Sequence, residues 1–350
     1  MLHRSSVLTV ATLLGGALLV SVPATAAGET CQGRPATIVG TGPDIQGTPG
    51  DDVIVTGASS LTDAGAGDDL VCVSSSDHGS VFVFAGDGDD VVDASASNPT
   101  WVLRTVYLGT GLDHYVGNVG GPTQGDVHAN GADDNVADAT TVLLQVTDAS
   151  TGPLGAYSGG LIQVWSADHD VEIEVDEHIV VAGRVAADIT GFNRVLAVAP
   201  RVILRGNSQD NSLLASGCHV HLMGKGGDDY LSGSSAEGAP RFDCVSEATM
   251  RGGSGDDQIK GWLGRNRLIG NAGNDVLQGR PRDDVLLGGS GHDELSGGSG
   301  ADVLRGNQGR DTLRGRPGRD VLLGNQGRDS ADGDQGRDVC VAERELRCER

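Results

Sequence analysis

Aromatic side chains are nearly absent: 3 Trp, 4 Tyr and 4 Phe serve 350 residues, too few for the packed cores of ordinary layered domains. Lysine is scarcer still, with only Lys225 and Lys260, and Glu supplies just 10 of the 48 acidic residues. The Glu- and Lys-rich surface of a helical protein is therefore missing. Long apolar runs are limited to one, Val7–Val20, which is short for a membrane span. It follows His3 and Arg4 and precedes Ala24-Thr25-Ala26, a small-x-small cleavage pattern, so residues 1–26 read as a secretory leader. The mature chain is expected to be secreted and extracellular, with no membrane span. Motifs for chemistry are missing too. There is no HExxH and no GxSxG, and Gly224-Lys225 runs into Gly226 instead of a Walker A ending. No pair of cysteines has the CxxC spacing of a structural zinc site.

What is present is glycine, 56 residues of it, and aspartate, which makes up the other 38 acids. With 25 basic against 48 acidic side chains the net charge is −23. Such a chain repels nucleic-acid phosphates and acidic lipid and makes divalent cations the natural partner. Six cysteines allow 15 pairings. They fall in three neighbourhoods, Cys31 with Cys72, Cys218 with Cys244 and Cys340 with Cys348, which in an exported chain predicts three local disulfides.

Internal repetition is cleanest from Gly252 to Val341, where ten nonads follow without a gap, from GGSGDDQIK through GNAGNDVLQ and GGSGADVLR to GDQGRDVCV. Position one is always Gly. Position four is Gly except at Arg282, and position six is Asp except at Asn266. Position eight is aliphatic from Ile259 through Leu322, then Ala331 and Cys340. Six glycine-rich residues suit a tight turn and the last three a short strand whose middle side chain points inward. Two nonads per coil would stack the inward Leu into a ladder and the turns into two outer rows. Within a row, carboxylates and backbone carbonyls make a hard-oxygen cage of the kind calcium prefers.

This nonapeptide resembles the RTX, or haemolysin-type calcium-binding, repeat family. The resemblance implies an all-β chain, a right-handed parallel β-roll or β-helix solenoid, binding multiple Ca2+ ions. It places Asp257, Asp275, Asp284, Asp293, Asp302, Asp311, Asp320, Asp329 and Asp338 on the family's ligand position. Upstream, single repeats recur around Gly47, Ala64, Ala85, Leu108 and Gly224, with Asp52, Asp69, Asp90, Asp113 and Asp229 as the equivalent acids. GNSQDNSLL from Gly206 keeps the frame with Asn211 in the ligand place. The leader and the cysteine-bearing end look like Sec-exported repeat proteins of high-GC Gram-positive bacteria rather than type I secreted toxins.

Between residues 137 and 223 the acidic turns thin out while strand-like segments persist, which fits either solenoid coils with metal-free turns or an inserted β-sandwich. The expected organisation is a leader at 1–26, degenerate repeats at 27–136, a central β-solenoid at 137–251, the contiguous array at 252–341 and a C-terminal cap at 342–350. The cap would fold back over the open core end, joined by Cys340–Cys348. Arg310, Arg319, Arg328 and Arg337 at position five would offset repulsion between stacked carboxylates. Asp332, Asp334 and Glu343 mimic an EF-hand spacing, but Arg337 stands where that loop needs glycine.

The function implied is a secreted calcium-binding repeat protein, a structural, adhesive or matrix component, with extracellular polysaccharide or a cell-surface component as partner. The alternative is a calcium-stabilised, carbohydrate-active β-helix enzyme. For that alternative Asp113-His114-Tyr115, or Asp168, His169, Asp170 and His178, would supply acid and base groups. His219 and His221 share one strand face without an identifiable third ligand.

Overall fold

Leu268, Leu286, Leu304, Leu322 and Cys340 stand one above another in a parallel ladder, and Ile259, Leu277, Leu295, Leu313 and Ala331 form a second. The structure is a computed structural model that describes residues 29–74, 81–95, 104–117, 125–129, 135–145, 155–166, 169–181, 184–233, 242, 244 and 246–348. The leader read at 1–26 lies outside the described residues, as does Asp168. Because each nonad delivers one inward aliphatic group and then turns, two nonads complete a coil. The two ladders face each other across an all-aliphatic core in which Leu268 through Leu322 are fully buried. The described strands outside the N-terminal hairpin join one sheet system of 32 strands, and no helix occurs among the described residues. The chain is an all-β parallel solenoid.

Gln258–Lys260 and Val339–Val341 have the three residues expected from the repeat, but most strands of the array are longer. Val285–Gly291 and Val303–Gly309 run on into the following turn, pairing Gly289 with Asn307 and Gly291 with Gly309. Positive φ at positions two and four turns the backbone without breaking the coil-to-coil bonds. Asn271, Asn307 and Asn325 adopt it at position two, where asparagine is tolerated. Gly291 shows why position four is glycine: its φ is 134°, and a Cβ there would stand 1.9 Å from the Gly273 carbonyl oxygen of the coil before. Arg282 is the exception, held at φ 88° with an exposed side chain. Left-handed backbone in a non-glycine residue costs about 1–3 kcal/mol, partly offset in a glycine variant by about 0.5–1 kcal/mol of chain entropy. Arg282→Gly is therefore expected to stabilise the calcium-loaded protein by roughly 1 kcal/mol. Arg282→Ala should leave it unchanged, and denaturant midpoints of both variants provide the check.

Coil length varies outside the array. Successive ligand-position residues are 17, 21 and 23 apart from Asp52 to Asp113, 28 apart from Asp229 to Asp257, and 18 apart within the array. In the centre the parallel ladder continues, Ile162 beside Val195 and Val195 beside Leu213. One excursion interrupts it: His178–Val181 pairs antiparallel with both Val171–Glu174 and Arg184–Thr190, and these two flanking strands rejoin the parallel ladder.

All three disulfides form within the neighbourhoods read from the sequence: Cys31–Cys72, Cys218–Cys244 and Cys340–Cys348. The first staples a small hairpin, Thr30–Cys31 with Arg34–Pro35, onto the outer sheet face, where Cys31 buries against Val53, Val55 and Leu70. The last lies where the tail adds a rung, Arg344–Leu346, parallel to Ser330–Asp332. Arg347 clamps Asp332 and Asp334. The tail thus extends the ladder by one strand, and Cys340 and Ala342 pack against the end of the core.

Candidate metal centre

Position six ends the turn, one residue before strands such as Val276–Pro281, Val285–Gly291 and Glu294–Ser299, and its side chain is buried there. The buried acids are connected into rows by one repeated hydrogen bond. The backbone N–H of Asp257 donates to Oδ1 of Asp275 at 2.9 Å, that of Asp275 to Asp293 at 2.9 Å, and that of Asp293 to Asp311 at 3.0 Å. One row runs Asn211, Asp229, Asp257, Asp275, Asp293, Asp311, Asp329. The opposite row runs Asn266, Asp284, Asp302, Asp320, Asp338. A third, N-terminal row runs Asp52, Asp69, Asp90, Asp113. The sequence-predicted residues are thus brought into three rows, not one cluster.

The second carboxylate oxygen is the informative one. In Asp69, Asp90, Asp229, Asp257, Asp275, Asp284, Asp293, Asp302, Asp311, Asp320, Asp329 and Asp338, Oδ2 is buried and accepts no hydrogen bond. Native interiors rarely leave such atoms unsatisfied, so a ligand is the natural explanation. Beside those from Asp229 to Asp338 lies a space left by the position-one glycine, whereas Asp69 and Asp90 have Ala64 and Ala85 at position one. A Cβ on Gly270 would stand 2.0 Å from Asp275 Oδ2 and 2.6 Å from the carbonyl oxygen of Gly288 in the next coil. At Gly288 the corresponding oxygens, Asp293 Oδ2 and the Gly306 carbonyl, lie 2.2 and 2.8 Å from the Cβ position. Carboxylate and carbonyl oxygens converging on one small space fit a hard cation such as calcium. Among the described residues no three His, Cys, Asp or Glu side chains gather as a metal site. A cage with one carboxylate per turn and backbone carbonyls for the rest has no need of such a gathering.

The electrostatics agree with the geometry. Burial pushes the carboxyls of Asp90, Asp229, Asp275 and Asp302 up to about 7, opposed by the backbone N–H from the coil before and reinforced by neighbouring carboxylates. Asp69, Asp257, Asp284, Asp293 and Asp320 rise to about 6, and Asp311 is raised as well, with burial again the main cause. A cation would replace the proton each site otherwise favours.

Asp52 differs from the other predicted ligands. Its Oδ2 accepts from the Thr48 N–H at 2.7 Å and its Oδ1 from the Thr37 hydroxyl at 3.1 Å, so the carboxylate is satisfied within the protein. Two features escaped the sequence reading. Position-five side chains form an outer ladder: Asp51, Asp68 and Asp89 each accept the backbone N–H of the next coil, and Asp228, Asp256, Asn274 and His292 continue the pattern. The recurrent Asp-Asp doublet was the signal for it. Glu343 ends one row by accepting the Asp329 N–H at 2.7 Å, only 14 residues on, outside the nonad frame. Arg310, Arg319, Arg328 and Arg337 form no ion pair within 4 Å among the described residues; the ion pair formed at position five is Arg265–Asp283, at 3.9 Å.

The enzyme alternative finds no support in this geometry. Asp113 is buried within its row and Tyr115 within the core, while His114 between them is only half-buried, so the three do not converge. Asp170 and Glu172 line a groove of 170 Å³ with Arg201, but Glu172 is already paired with Arg205. His219 and His221 face outward with Arg201 and Arg251 nearby, and His221 is held below the usual imidazole range by burial and those charges.

Comparison with known proteins points the same way. The model of the RTX calcium-binding nonapeptide repeat, in four copies, matches residues 79–100, 249–277, 269–304, 278–313 and 305–340. No curated protein matches the chain. Such repeats bind calcium ions in multiple copies, and residues 79–100 and 249–340 of the chain carry the RTX calcium-binding nonapeptide repeat.

Proposed function

We propose that the buried position-six aspartates, Asp69 through Asp113 in the N-terminal row and Asp229 through Asp338 in the other two, are the calcium ligands, joined by backbone carbonyls of their own and the next coil. For Asp229 through Asp338 the observation that carries this is the Oδ2 atom left without a hydrogen bond beside a space that a Cβ would fill. Asp69 and Asp90 share the unpartnered oxygen, with Ala64 and Ala85 at position one, and Asp113 is included as the next residue of their row. Asp52, whose two oxygens are taken, is left out of the set. Calorimetric titration tests the assignment. Asp293→Ala and Asp302→Ala are each expected to lose bound calcium and to weaken the remaining sites about tenfold, ~1.4 kcal/mol. Asp52→Ala should keep the full number of ions. Unchanged binding in Asp302→Ala, or equal loss in Asp52→Ala, would overturn it.

The wider reading is an exported structural, adhesive or matrix component held folded by its ions. Three disulfides suit an oxidising compartment, and the leader-like pattern at 1–26 gives the route. Extracellular polysaccharide or a cell-surface component is the partner class. Units at 27–136, 137–251 and 252–341, with a cap at 342–350, follow the changes in coil length and in the density of acidic turns.

A further inference from the structure

Asn266 occupies position six of the second nonad, where every other nonad of the array carries Asp. Its side chain is 4% exposed, and its amide is turned so that Oδ1 accepts the Trp262 N–H at 3.1 Å. Nδ2 then faces only acceptors: the carbonyls of Gly264 at 2.9 Å, Gly279 at 3.0 Å and Trp262 at 3.3 Å, and Asp284 Oδ1 at 2.9 Å. Reversing the amide would aim an oxygen at four oxygens and strip Trp262 of its acceptor, so the network fixes the orientation.

The position of this nitrogen matters. A Cβ on Gly261 would lie 2.7 Å from Asn266 Nδ2 and 2.3 Å from the Gly279 carbonyl oxygen. On Gly270, the next glycine in frame, the corresponding atoms are Asp275 Oδ2 and the Gly288 carbonyl oxygen. The –NH2 group therefore stands where the unpartnered carboxylate oxygen stands in the other turns, donating hydrogens to the carbonyls a cation would gather. Asn211 shares the Oδ1 contact, accepting the Asn207 N–H four residues back, but there Oδ1 stands beside Gly206 and Nδ2 is buried without a partner.

We infer that the turn 261–266 is a cation-independent rung, in which the Asn266 amide takes the place of the calcium bound at the neighbouring turns. This rests on the ligand assignment proposed above. Its consequence is that the second row takes ions only from the turn of Asp284 onward. A rung satisfied without an ion also offers a folded edge on which the array can stack as calcium loads, since repeat coils stabilise through their neighbours.

The test uses the full mature chain and calcium alone. Calorimetric stoichiometry should rise by one ion in Asn266→Asp and stay at the wild-type value in Asn266→Ala. In chelator, wild-type amides of Arg267–Ile269 should exchange more slowly than those of Val303–Arg305, a difference lost in Asn266→Asp. No added ion in Asn266→Asp, a lost ion in Asn266→Ala, or equal exchange of the two wild-type segments would each overturn the inference. Asp302→Ala run in parallel separates the two claims: if it loses calcium while Asn266→Asp gains none, the aspartate ligands stand and the amide rung falls. If the aspartate variants bind as wild type does, both fall together.

Discussion

Transferred to excess chelator at pH 8, the array at 252–341 is expected to lose most of its β-structure, and millimolar calcium should restore it. The balance at each rung decides this. One inward aliphatic group per nonad, such as Leu295 or Leu304, contributes about 1.5–3 kcal/mol on burial. Each rung except that of Asn266 also holds one buried carboxylate with an unpartnered oxygen, and an uncompensated buried charge costs several kcal/mol. Without the ion the two terms nearly cancel, leaving the entropy of ordering a glycine-rich turn unopposed. With the ion, carboxylate and carbonyl oxygens gain a common partner and the sum becomes favourable. Folding and metal binding are then one equilibrium. Because each coil contacts mainly its neighbours, loss should spread along the array rather than remain at one site. Far-ultraviolet circular dichroism with and without chelator measures it. A cooperatively folded β-spectrum that chelator leaves untouched would remove calcium from the account of stability.

The ladder and the sites were legible to different depths. A period of nine put Leu268, Leu277 and their successors inside, because one inward group per short strand admits only one register. The same period placed Asp275 and Asp302 in rows, and the cysteine spacing placed the bridges. What sequence could not show is contact between coils. Strand length depends on backbone pairing across turns, as between Gly289 and Asn307. Asp52 fits the motif, yet Thr37 and Thr48 satisfy its oxygens, and Thr37 precedes the repeat altogether. Asn266 reads from sequence as a ligand lacking charge. Its Nδ2 partners, Gly279 and Asp284, come from the next coil and show it as a substitute for the ion. The antiparallel excursion at His178–Val181 also escaped, since alternation of side chains is the same whichever way a strand runs.

Without calcium, the stability of the array is expected to fall as pH rises, the reverse of ordinary acid denaturation. Asp275 and Asp302 have carboxyls pushed up to about 7, and Asp257, Asp284, Asp293 and Asp320 to about 6, against 3.8 for the unshifted group. Above 3.8 the unfolded chain gives up these protons while the folded array retains them, so each unit of pH favours the unfolded side. The contribution is complete below about 3.8, drains away through the interval up to 6–7, and is gone above it. Within the array Asp332 opposes the trend, since its hydrogen bond to Arg347 lowers its carboxyl, but one such group faces seven raised ones once Asp311 is included. Chelator-treated protein should therefore regain β-structure near pH 4 and lose it by pH 8. Calcium reverses the slope, because proton and ion compete for the same oxygens and affinity should climb until the carboxyls have ionised near pH 7. Thermal melts at several pH values, with chelator and with saturating calcium, measure both slopes. A calcium-free array that grows more stable from pH 4 to 8 would show that the buried carboxylates are held by groups other than the ion.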